Sequence, residues 1–75
     1  MVSDADIARG WERICREEMT YLQKNIGELN RIREDFPSDW EIEELTRALI
    51  HDEGQLIESL REEIEDAREA LKKSA

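Results

Sequence analysis

One cysteine, one proline and one histidine in 75 residues close off several kinds of protein at once. Cys15 has no second cysteine to bond within the chain, so no internal disulfide staples it, and no cysteine–histidine cluster can hold a structural zinc. No stretch approaches the roughly 18 consecutive apolar residues of a membrane span. The first thirty residues show no basic start leading into an apolar run. These absences predict a soluble, cytoplasmic chain. The three glycines, Gly10, Gly27 and Gly54, stand apart and form no phosphate-cradling loop.

A chain of this length holds one domain, residues 1–75, and a single core of that size contributes only a few kcal/mol beyond the entropy of ordering it. With neither disulfide nor metal to help, a partner surface becomes the expected source of extra stability. Charged residues are plentiful, 41% of the chain, and unevenly signed. Residues 1–37 carry six basic and eight acidic side chains, and residues 38–75 carry five and twelve. Such a surface repels phosphate backbones and anionic lipid, which argues against direct nucleic-acid or membrane binding. It leaves open an acidic inhibitor that mimics nucleic acid and blocks the basic cleft of another protein.

The segment Arg33–Leu45, REDFPSDWEIEEL, contains the lone proline. Pro37 has no amide proton and biases Phe36 away from helical angles, so a first helix ends near Asp35. Ser38 with Glu41 reads as a capping box opening a second helix, with Asp39, Glu43 and Glu44 at its positive end and Lys72 and Lys73 at its negative end. Ser3, followed by Asp4 and Asp6, opens the first helix in the same way. The predicted elements are therefore a helix over about 4–35, a turn at 36–38 and a helix over about 39–73, each about 50 Å long. So short a connection folds them into an antiparallel pair.

At about 100° per residue, Ile7, Trp11, Ile14, Cys15, Met19, Leu22, Ile26, Leu29, Ile32 and Phe36 form one stripe on the first helix, roughly 140° wide. Ile42, Leu45, Leu49, Ile50, Leu56, Ile57, Leu60, Ile64, Ala67 and Leu71 do the same on the second. Each stripe is broader than a coiled-coil seam. One facing helix covers only part of it, and the uncovered apolar flank favours association at about 25 cal/mol per Å². The expected fold is an all-α, antiparallel helical hairpin that pairs into a four-helix bundle. The alternative is a three-helix bundle, in which Asp52–Gln55 caps a new helix and the second segment breaks near Gly54. In the unbroken hairpin Gly54 falls opposite Tyr21 and Leu22, where it would make room for a ring.

Glu18, Asn25 and Glu53 interrupt the apolar stripes, and a carboxylate in such a place is either paired, functional or a device that selects pairing register. A di-metal bundle site needs inward Glu-x-x-His pairs, of which the chain has none, and His51 falls on the far side of its helix from the stripe. Cys15 lies within the apolar stripe and reads as a small buried hydrophobe. The expectation is a protein that is not an enzyme, with no cofactor, no metal site and no small-molecule substrate.

What remains is recognition. Trp11 lies on the core stripe, whereas Trp40 falls outside its stripe beside Phe36 and Pro37, where it either staples the turn or anchors an interface. The expected function is a non-enzymatic helical protein–protein interaction module, meeting a partner protein or a second copy of itself. The interface candidates are Trp11, Cys15, Glu18, Met19, Tyr21 and Trp40. The well-marked caps and dense surface charge are features of designed or engineered helical scaffolds. The mid-helix glycines and the unpaired cysteine are features such designs avoid.

Overall fold

The computed structural model describes residues 2–74, and the side chains of residues 2–73. Helix α1 spans Asp4–Asp35 and helix α2 spans Trp40–Ser74. At the start of α1 the Ser3 hydroxyl accepts from the Asp6 amide at 3.2 Å, and the Asp6 carboxylate accepts from the Ser3 amide at 3.2 Å, closing the capping box. The Ser3 amide first, and then the Ser3 hydroxyl, which donates to Asp6 Oδ2 at 3.0 Å, hold the Asp6 carboxyl below its ordinary pKa, with help from Arg9. Helix α1 ends where the Phe36 amide donates to the Ile32 carbonyl and Pro37 stops the ladder.

The second cap sits one residue later than the sequence predicts. The Asp39 amide donates to the Phe36 carbonyl at 3.2 Å, which places Pro37 and Ser38 inside the turn. Ser38 is therefore too early to cap. Asp39 replaces it, its Oδ1 accepting from the amides of Glu41 and Ile42, each at 3.1 Å.

Helix α2 runs unbroken through Gly54, which overturns the three-helix alternative. A single glycine costs about 1 kcal/mol in a helix, too little to break one with no spare loop residues beside it. The space expected for a ring is not used by one either: a Cβ at Gly54 would meet nothing within 4 Å, and Tyr21 is 58% exposed.

The two helices pack side by side in an antiparallel hairpin of 56 × 15 × 14 Å. On α1 the regularly spaced covered positions are Ala8, Glu12, Cys15, Met19, Leu22, Ile26, Leu29 and Arg33, and on α2 Glu43, Thr46, Ile50, Glu53, Ile57, Leu60, Ile64, Ala67 and Leu71, with Ala5, Asn25, Ile42 and Gly54 partly covered beside them. Both rows alternate steps of three and four, the spacing of a heptad seam. The wide sequence stripe thus resolves into a narrow packed seam plus an adjacent row that the partner helix leaves largely uncovered. Thr46, buried in the seam, is satisfied locally, its hydroxyl donating to the Ile42 carbonyl at 2.6 Å.

Two carboxylates in the seam clip the helices at opposite ends. Near the turn Glu43 receives Arg33 through two bonds, at 2.7 and 3.1 Å, and Arg47 at 2.8 Å. Near the open end Glu12 receives Arg16 at 2.9 Å and Arg68 at 3.3 Å. The Arg33 pair, bidentate and half-buried, fixes the helices next to the turn more firmly than a solvated ion pair would.

No described helix is long and apolar enough to cross a membrane. The radius of gyration is 17.0 Å, against about 11 Å for a compact domain of this length. The accessible surface is 5987 Å², against roughly 4,800 Å² for a compact protein of this mass.

Candidate protein-interaction surface

Stepping back one residue from any seam position rotates about 100° around the helix axis. Because α1 and α2 run in opposite directions, that step carries both preceding rows to the same side of the hairpin. On α1 the row is Ile7, Trp11, Ile14, Glu18, Tyr21, Asn25, Glu28 and Ile32, and on α2 it is Ile42, Leu45, Leu49, Asp52, Leu56, Ser59, Glu63, Asp66 and Ala70. Direct contacts join the two rows. The Trp11 indole N–H donates to Glu63 Oε2 at 2.9 Å. One shallow groove brings Ile7 and Trp11 beside Glu63 and Asp66, and another brings Asn25 and Ile32 beside Leu49 and Glu53.

This face stays largely open to solvent. Ile7, Trp11, Ile14, Tyr21, Ile32, Leu45, Leu49 and Leu56 are each between 42% and 65% exposed. Isolated exposed apolar residues are ordinary; here they form a double row along the hairpin, interrupted by polar side chains, and exposed apolar patches of that kind are what association surfaces are built from. The charges on the face have one sign: Asp4, Glu18, Glu28, Asp52, Glu63 and Asp66 belong to it, and between Asp4 and Ala70 it has no lysine or arginine. The opposite face, one residue after each seam position, carries Arg9, Arg13, Arg16, Arg47, Arg61 and Arg68 and no large apolar residue.

The structure distributes the sequence candidates over four places. Trp11, Glu18 and Tyr21 lie on the open apolar face. Trp11 is 47% exposed, so its place on the stripe is the uncovered flank and not the core. Cys15 is 1% exposed in the seam, and this removes it from the exposed surface. Burial first, and the Glu63 carboxylate second, push its thiol above the ordinary pKa and keep it protonated and unreactive. Met19 is half-buried and faces the arginine side, lining a groove with Arg16, Arg61 and Arg68. Trp40, 68% exposed, lines a cleft at the hairpin tip with Phe36 and Pro37, away from the long face.

Four apolar residues of α2, Ile42, Leu45, Leu49 and Leu56, complete the face and were not among the sequence candidates. Their signal was a second row of three- and four-residue steps, offset by one from the row that packs. Without knowing which row α1 covers, the two cannot be told apart. His51 is exposed, with its Nε2 3.2 Å from the Gln55 side-chain nitrogen, and among the described residues no group of acidic, histidine and cysteine side chains is arranged to hold a metal ion.

Among the described residues, the seam holds one buried side-chain oxygen without a hydrogen-bond donor, Oε2 of Glu53. Its residue lines the groove formed by Asn25, Glu28, Leu29, Ile32 and Leu49, so the carboxylate lies at the base of the apolar face. Comparison with protein-family models, with curated proteins and with solved structures found no match to this chain.

Proposed function

We propose that this chain is a non-enzymatic helical interaction module that docks on other protein through its apolar, acidic face. The observation that carries the reading is the double row of large apolar residues left open along both helices, beside a seam whose buried hydrophobic residues are few: Ala8, Cys15, Leu22, Ile57, Ile64 and Ala67. A hairpin with so small a core gains stability from whatever covers the face. The surface in excess of a compact protein, about 1,200 Å², exceeds the roughly 800 Å² that each partner contributes to a standard protein interface.

A second copy is the other occupant to weigh. What favours it is that the face includes both helices, as half of a four-helix bundle would. What opposes it is the single sign of charge on that face. Nucleic-acid mimicry has less support, because the acids here alternate with large apolar side chains instead of forming a hydrated anionic ridge.

Small-angle X-ray scattering over a concentration series at physiological salt tests the reading. A monomer with a radius of gyration near 17.0 Å, or a dimer of twice the 8.9 kDa chain mass that dissociates in Leu45→Gln/Leu49→Gln, agrees with it. A monomer near about 11 Å would mean that the chain covers its own face, and would sink the proposal.

A further inference from the structure

We infer that the occupant of the face is a cationic amphipathic helix of another protein, one of whose lysine or arginine side chains enters the groove between Ile32 and Leu49 and pairs with Glu53. This rests on the interaction reading above and names the chemistry of its partner. Three observations lead to it.

The first is Glu53 itself, whose Oε2 is buried without a hydrogen-bond donor at the base of that groove. A carboxylate oxygen withdrawn from water is unfavourable until a donor reaches it, and a charged donor meets the need best. The second is the single sign of the face. A second copy would bring another set of the same carboxylates into a shared, partly desolvated interface, whereas a basic helix would meet each with an opposite charge. The third is that the four arginines nearest the seam are engaged elsewhere. Arg33 and Arg47 pair with Glu43, and Arg16 and Arg68 with Glu12, on or beside the opposite face. A helix of about 20 residues spans about 30 Å, enough to lie along the turn-proximal half of the 56 Å hairpin, where Ile42, Leu45, Leu49 and Leu56 supply the apolar contact.

The test uses the full chain and two labelled synthetic peptides of about 20 residues. One has a leucine stripe flanked by lysines, and the other has glutamate in place of every lysine. Binding is followed by fluorescence anisotropy for wild type, Glu53→Gln and Glu65→Gln. Both variants remove one negative charge, and Glu65 lies on the opposite face, so they differ only in where the charge is lost. Glu28→Gln serves as a second groove variant should circular dichroism show that Glu53→Gln loses helix.

The expected result is that the lysine peptide binds at least about tenfold more tightly than its acidic counterpart, that Glu53→Gln weakens it by about tenfold or more, and that Glu65→Gln changes it less than about twofold. Equal weakening by both variants would reveal general attraction to a chain of charge -9 and overturn the role of Glu53. Equal binding of both peptides, insensitive to Glu53→Gln, would overturn the cationic partner while leaving apolar docking intact. A dimer that excludes both peptides would assign the face to a second copy. If neither peptide binds a monomer of open face, the interaction reading falls together with this one.

Discussion

The two long faces of the hairpin are two residues apart in register, one on either side of the seam, and opposite in chemistry. On the arginine side, Glu12 and Glu43 at the seam collect cations from both helices, and the charges neutralise one another within the chain. On the apolar side, carboxylates stand among exposed isoleucines and leucines and none of them forms an ion pair among the described residues, and the one interhelical hydrogen bond there runs from Trp11 to Glu63. One face is complete as it stands, whereas the other has its apolar area and its charge both unanswered. The difference is what the proposed function rests on, because side chains that satisfy each other have little left to offer a partner.

The sharpest way to break this contrast is to truncate neighbours. Ile57, in the seam, is 7% exposed, and Leu56, on the face, is 54% exposed. Ile57→Ala should cost about 2–4 kcal/mol, a large share of what so small a fold has, so helical circular dichroism is expected to fall sharply. Leu56→Ala should change stability by less than about 1 kcal/mol while weakening peptide binding. Equal losses of stability would mean that both rows belong to one core.

Next in size comes Glu53→Leu. Replacing a carboxylate that has an unpartnered buried oxygen with an apolar side chain should stabilise the isolated hairpin by about 1–2 kcal/mol, read from urea unfolding, while removing the preference for a basic peptide. A stabilising change that damages binding would identify Glu53 as kept for recognition, and a destabilising one would show that the carboxylate supports the fold.

The smallest effect concerns the arginine face and is read from pH. Glu43 is held below the ordinary carboxyl range chiefly by its hydrogen bond from Arg33 and then by that from Arg47, and Glu12 likewise by Arg16 and Arg68. A lowered native pKa contributes stability that is fully present above the unfolded value and is lost as pH falls through the native one. The difference in Tm between wild type and Glu43→Gln is therefore expected to be largest near neutrality and to close below about pH 4. Net repulsion also changes over this range, and comparing the two chains at each pH subtracts it. A constant difference down to about pH 3 would show that the clip acts through packing instead of charge.

Much of this architecture is legible along the chain because it depends on local chemistry. Pro37 removes a hydrogen-bond donor wherever it sits, so the break between helices near residue 36 follows from one residue. Ser3 with Asp6, and the apolar period of each helix, act over three or four residues and emerge as the sequence predicts. Ser38 misleads because two good caps stand side by side, and the turn closed from Asp39 to Phe36 selects the later one. Gly54 misleads because a glycine lowers the cost of a break without requiring one.

The candidate surface is less legible, for a physical reason that Trp11 and Cys15 show together. Both belong to one apolar stripe, and nothing local distinguishes the residue that α2 buries from the one that it leaves in water. The order of side chains dictates two amphipathic helices, their caps and the bend that folds them together. The rotation of each helix against the other is a property of the pair, set by how the rows from Ala8 to Arg33 and from Glu43 to Leu71 interlock. That rotation places Cys15 in the seam, Trp11 on the open face, and the Glu53 carboxylate below a groove that neither helix forms alone.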